Sequence, residues 1–110
     1  MNTTTRIDGS TARITPHGEI DYDTLPSLRA AAAALPPGVT EVIWDLHDTV
    51  FMDVAGLHLL LEQQADPHRE TSAMNLARQP LGLLDLTEEI APTPGLARLR
   101  STMGSDAAAA

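Results

Sequence analysis

The sequence predicts an α/β domain with a mixed β-sheet of about four to five strands packed by helices. Three observations carry this. Thr40 to Leu46 is an apolar, β-branched run with little alternation, the pattern of a central strand covered on both faces. Leu57, Leu60 and Leu61 recur at helical spacing directly after Asp53. An alanine run between Thr24 and Pro36 supplies a second helix, so strands and helices alternate.

Taken in order, Met1 to Thr5 is polar and Thr-rich and reads as a flexible leader. Residues 12–15 and 18–21 read as short strand pieces, with Pro16 demoting the first to an edge or a bulge. Asp23 or Thr24 can cap a helix that tolerates Pro26 in its first turn and runs to Leu35. Pro36-Pro37-Gly38 ends it. After the strand at 40–46, Val50-Phe51-Met52 reads as its continuation, and a helix is expected over about 54–64. A polar loop over 66–71 leads to a strand at 73–77. Pro80 then opens an amphipathic helix with Leu83, Leu84 and Leu86. Thr93-Pro94 has the cap-then-proline order of a last short helix, with Leu96 and Leu99 as its apolar stripe. One domain over 6–101, with a flexible tail over 102–110, accounts for the chain.

Composition narrows the chemistry. A formal net charge of −8 disfavours attraction to a phosphate backbone or an anionic bilayer, so neither nucleic acid nor membrane is an expected partner. The absence of cysteine removes thiolate catalysis, disulfides and Cys-ligated zinc. The first nine residues lack the apolar stretch of a signal peptide, and no run approaches the roughly 20 residues of a membrane span, so a cytoplasmic location is expected. His17, His47, His58 and His68 form no ligand pair of known spacing, so no metal and no cofactor is expected. In Asp45-Leu46-His47-Asp48-Thr49, His47 occupies the place where an Asp-x-Asp-x-Thr phosphohydrolase site needs its second acid. With no nucleophile, base and orienting group together, the chain reads as a binding protein and not an enzyme.

The candidate site is the start of the second helix. Asp53 reads as a plain N-cap or as the edge of a docking site, since its carboxylate suits the positive end of a helix. Gly56, costly inside a helix, points to close approach of another backbone or a partner.

Asp45-Leu46 followed by Phe51-Met52-Asp53-Val54-Ala55-Gly56-Leu57 resembles the STAS domain family, in particular the bacterial anti-sigma factor antagonists. Their pattern there is Phe-(Ile/Leu/Met)-Asp-Ser-(Ser/Ala)-Gly-Leu. Gly18-Glu19-Ile20-Asp21 and Leu83-Leu84-Asp85-Leu86-Thr87 resemble two further elements of that family, in the same order. The resemblance implies a partner that is an anti-sigma factor and serine kinase, met by Asp21, Asp53, Val54, Ala55, Gly56, Leu57 and His58. It also implies a switch, in which the serine after the Asp is phosphorylated and the partner lets go. In this chain that phosphoacceptor position holds Val54, and Ala55 follows it. A non-phosphorylatable antagonist fits these residues; so does a STAS scaffold or ligand-sensing module that meets other STAS proteins or a small ligand.

Overall fold

The structure, a computed structural model, describes residues 1–100, and the predicted tail at 102–110 lies outside them. Strands β1 (Asn2–Asp8) and β2 (Thr11–His17) form an antiparallel hairpin in continuous register from Asp8↔Thr11 to Asn2↔His17. Its two-residue turn places Gly9 first at φ 63°, where the mirror-type turns of hairpins need a positive φ. The segment expected to be a flexible leader is therefore mostly strand: Thr residues suit a pleated edge, and β2 supplies their hydrogen-bond partners.

Helix α1 (Leu25–Ala33), strand β3 (Glu41–Asp45), helix α2 (Val54–Gln64), strand β4 (Glu70–Met74) and helix α3 (Arg78–Ile90) follow, and residues 94–100 are helical. The sheet order is β1-β2-β3-β4, with β2, β3 and β4 parallel, which makes a four-stranded mixed sheet. Side chains alternate as a sheet with one covered face requires. Ala12 and Ile14, Val42 and Trp44, Thr71 and Ala73 are buried under the helices, whereas Arg13, Ile43 and Ser72 on the other face stay partly or fully exposed. The apolar look of β3 thus reflects one buried face and Ile43, not cover on both sides.

Three local expectations shift. Pro16 lies inside β2, an interior strand, and is tolerated because pairing with β3 ends two residues earlier, at Ile14↔Trp44. Strand β4 begins at Glu70, not Ala73, and stops where Asn75 adopts φ 58°, the left-handed region that Asn visits more readily than most residues. Val50-Phe51-Met52 does not extend β3; Leu46 to Thr49 turns the chain away first, with the Thr49 N–H donating to the Leu46 carbonyl at 3.1 Å. The last helix matches expectation: Thr93 Oγ1 accepts from the Leu96 N–H at 3.2 Å, and Leu96 and Leu99 are both buried.

At the opposite end of the sheet from the strand-end loops, Arg69 fastens the chain where α1 stops. Its guanidinium donates to the carbonyls of Val39 at 3.0 Å, Pro36 at 3.0 Å, Leu35 at 3.3 Å and Ala32 at 3.4 Å. These carbonyls cluster at and just beyond the negative end of α1, which has no basic residue in its own last turn. Replacing Arg69 with alanine should lower the urea unfolding free energy by about 2 kcal/mol, the scale of charge-assisted bonds whose acceptors are left half-satisfied. Lysine, which cannot span a fan of four carbonyls, should recover only part of it.

Candidate functional site

Because β2, β3 and β4 run parallel, the chain leaves all three at one end of the sheet, after His17, Asp45 and Met74. Loops of open parallel sheets gather at this end, which is where such folds place their sites. The segment before α2 is held there from two sides. Ile20 and Met52 form an isolated parallel bridge, in which the Ile20 N–H donates to Phe51 O at 3.0 Å and the Asp53 N–H donates to Ile20 O at 3.1 Å. On the other side, the Gln79 side-chain amide takes the place of a neighbouring strand. Its oxygen accepts from the Met52 N–H at 2.8 Å and its nitrogen donates to Met52 O at 2.9 Å. Met52 is wholly buried and Ile20 nearly so.

With that segment fixed, Asp53 starts α2. Its backbone is extended, its carboxylate accepts from the Gly56 N–H at 3.0 Å, and its carbonyl accepts from the Leu57 N–H at 3.2 Å. Gly56 then seats the first turn directly on the bridge: a Cβ at this position would lie 2.5 Å from Met52 Cγ and 2.7 Å from Ile20 Cγ2. The close approach signalled by this glycine is thus internal. With the Gly56 side of the first turn packed inward, Val54 stands out at 52% exposure.

Around Val54 the surface is unusually apolar. Phe51 is 40% exposed, Val50 69% and, just beyond the Ile20 bridge, Tyr22 77%. The chain has one Phe, one Tyr and one Trp, and only Trp44 is buried. Two of the three aromatics thus lie exposed at this end and outside the core. Glu19, Asp23 and Asp48 are exposed beside it and give the tip an acidic rim.

The residues singled out from the sequence divide. Val54 and His58 face outward; Asp53 and Ala55 are half-buried. Gly56 and Leu57 are buried, so they build the tip and do not present it. Asp21 is half-buried and structural: its carboxylate accepts from the Thr24 N–H at 3.1 Å while its own N–H donates to Thr24 Oγ1 at 2.9 Å, a reciprocal box that opens α1. Thr24 is thus the N-cap residue, one of the two expected, but the side chain that accepts a backbone N–H there is that of Asp21. Thr24 Oγ1 is fully engaged in these contacts, and Thr49, the only other Ser or Thr in residues 19–24 and 47–58, is completely buried.

Two polar clusters brace the loops. Asp45, nearly buried, accepts on Oδ1 from the His47 N–H at 3.1 Å and Asn75 Nδ2 at 3.1 Å and contacts His47 Nδ1 at 3.0 Å, with Arg13 3.8 Å from Oδ2. Burial alone would raise its pKa, but the hydrogen bonds from Asn75 and His47 outweigh that and hold it below the ordinary carboxylate value. On the open face, His17 Nε2 meets Thr4 Oγ1 at 2.8 Å while its Nδ1 pairs with Asp48, which ties β1, β2 and the loop after β3 together. Gln79, Asn75 and Thr4 carry no signal in the sequence, because their partners are 27, 30 and 13 residues away.

No family model and no curated protein matches the sequence. Solved structures do. The chain is similar to the anti-sigma factor antagonist SpoIIAA in its unphosphorylated form, at 24% identity and TM-score 0.58 over 77% of this chain and 83% of that one. It is also similar to an anti-sigma factor antagonist from Mycobacterium paratuberculosis, at 23% identity and TM-score 0.57 over 90% and 93% of the two chains. The fold is therefore the STAS fold of the anti-sigma factor antagonists, as the sequence motifs suggested. Among the described residues no helix is long and apolar enough to cross a membrane.

Two substitutions separate scaffold from surface. Gly56→Ala should destabilise by up to about 2 kcal/mol in chemical denaturation, an overpacking cost of about 1–3 kcal/mol offset by about 1 kcal/mol of helix propensity. Val54→Ala should stay within about 0.5 kcal/mol of the parent. For Asp45 the sign is fixed by its lowered folded pKa. Its contribution is present in full above the unfolded carboxylate value and is lost as pH falls through the folded one. The stability gap between the parent and Asp45→Asn, large at neutral pH, should therefore close in acid, measured by urea unfolding across the pH range.

Proposed function

We propose that this protein is an anti-sigma factor antagonist-like regulator that docks an anti-sigma factor kinase through the tip at Val54 and is held permanently in the binding form. The observation that carries this reading is Val54 itself, an exposed aliphatic side chain at the first position of α2 directly after the capping Asp53. In the similar motif this position is a serine whose modification ends the complex. A phosphoserine adds about 1.5–2 negative charges at a surface that must shed water to dock. Val54 offers the partner comparable bulk and no hydroxyl, so contact persists while the modification has no acceptor.

The surroundings support the same reading. Tyr22, Val50 and Phe51 extend the apolar contact, and no hydroxyl stands in for the missing serine at the surface, since that of Thr24 is hydrogen-bonded and that of Thr49 is completely buried. The acidic rim favours a cationic partner surface and suits an encounter that weakens with salt. The reading involves no catalysis by this chain, no cofactor and no nucleic acid.

Incubation with candidate anti-sigma kinases and ATP should give a stable complex and no phosphate transfer to this chain. Val54→Ser should then be phosphorylated by the same kinase and released, whereas Val54→Asp should weaken capture by more than about tenfold by placing a charge in the contact. Labelling of the unaltered chain at this tip would refute the fixed state. Capture that is indifferent to Val54→Asp would place the contact elsewhere.

A further inference from the structure

The hairpin edge presents a second surface, independent of the tip. Among the described residues strand β1 pairs only with β2, so there its outer side carries unpaired backbone groups over the length of the strand. Edge strands are normally blunted by lysine, proline, a bulge or brevity. Here β1 has little of this: Asn2 to Asp8 contains no lysine and no proline, its register with β2 is unbroken over seven residues, and its two charges, Arg6 and Asp8, are of opposite sign. The two-residue turn makes Asp8 and Thr11 a hydrogen-bonded pair, so inward and outward groups alternate from there. Thr3, Thr5 and Ile7 thus direct their N–H and C=O groups outward.

We infer that this edge pairs with a second copy of the chain, antiparallel about a two-fold axis at Thr5, to make one continuous eight-stranded sheet. That register sets Thr5 opposite Thr5, Thr3 opposite the second copy's Ile7, Thr4 opposite its Arg6 and Asn2 opposite its Asp8. All three outward residues are used, and no like charges stand directly opposite. Ile7, 49% exposed at the edge, gains a β-branched neighbour of the kind that stabilises cross-strand pairs. Charge selects this edge over the other. The molecule carries −8, so two copies repel, but β1 holds one Arg and one Asp and is locally neutral. At the far edge β4 is shorter and opens on Glu70 directly opposite Glu41, a place where a second acidic copy is disfavoured. A C2 pairing of identical edges is also closed, which ends the assembly at two.

Sedimentation equilibrium of the untagged chain from micromolar to millimolar concentration tests this. A monomer–dimer equilibrium is expected, tighter at high salt. Thr5→Pro removes an N–H that faces away from β2, so it should give a monomer with an unchanged circular dichroism spectrum. Asn2→Asp sets two carboxylate pairs face to face across the axis and should raise the dimer Kd about tenfold, while Asn2→Arg should lower it. A strict monomer at every concentration overturns the inference, and so does a dimer that ignores both Asn2 variants. Neither result bears on docking at Val54.

Discussion

The tip rests on how closely α2 can approach the Ile20–Met52 bridge. A helix beginning at the end of a sheet has a free N-terminal turn, and its direction is loose unless something beneath it fits. Gly56 removes the side chain that would hold α2 away, and Ile20 and Met52 fill the space so left. This contact fixes the rotation of the helix about its axis. Once Gly56 and Leu57 are turned inward, Val54 is left outward by the 100° step between helical residues. The exposure of Val54 is thus a consequence of packing at its neighbours.

The bridge itself is not self-sufficient, since one pair of bonds cannot hold an isolated segment in register. Gln79 completes it by offering an amide where a third strand would offer a peptide, so Met52 has both backbone groups paired although it lies in no sheet. Asp45 and Asn75 likewise join the ends of β3 and β4, and the Asp21–Thr24 box delivers Ile20 into place before α1 begins. Each fastener is polar and sits where a parallel strand runs out of partners. The other end of the sheet has the same need, met above all by Arg69 and also by Thr71, whose hydroxyl donates to the Gln63 carbonyl.

What the sequence disclosed follows from the range of each interaction. α2 was legible to within a residue because its cap, its glycine and its leucines are local and periodic. The helix at 94–100 was legible for the same reason, through Thr93. β1 was missed because an edge strand with no buried face has no hydrophobic pattern to read; four of its seven residues are polar and uncharged, and six are exposed. β4 was displaced by three residues because its start is polar and its end is set by the φ of Asn75, a property of one residue and its distant partner Asp45. At the candidate site, the motif picked out a set of residues but not how they divide. Gly56 and Leu57 share the motif with Val54, and only packing distinguishes the side chains that build a surface from the one that is the surface.

Helix physics sharpens the meaning of valine at residue 54. The first turn of a helix welcomes negative charge, and α2 has no acid there beyond its cap, Asp53. A phosphate at this position would be favoured within the molecule by the unpaired N–H groups of the turn and disfavoured only by a partner. Such a site is therefore easily loaded and sharply read. Valine gives up both properties, and it is neither a strong helix former nor a suitable side chain for open water. Stability alone would place an acid or a small polar residue there. An apolar residue exposed at this point, together with Val50, Phe51 and Tyr22, fits the docking proposed above, since a β-branched side chain with little rotamer freedom would lose little entropy on contact.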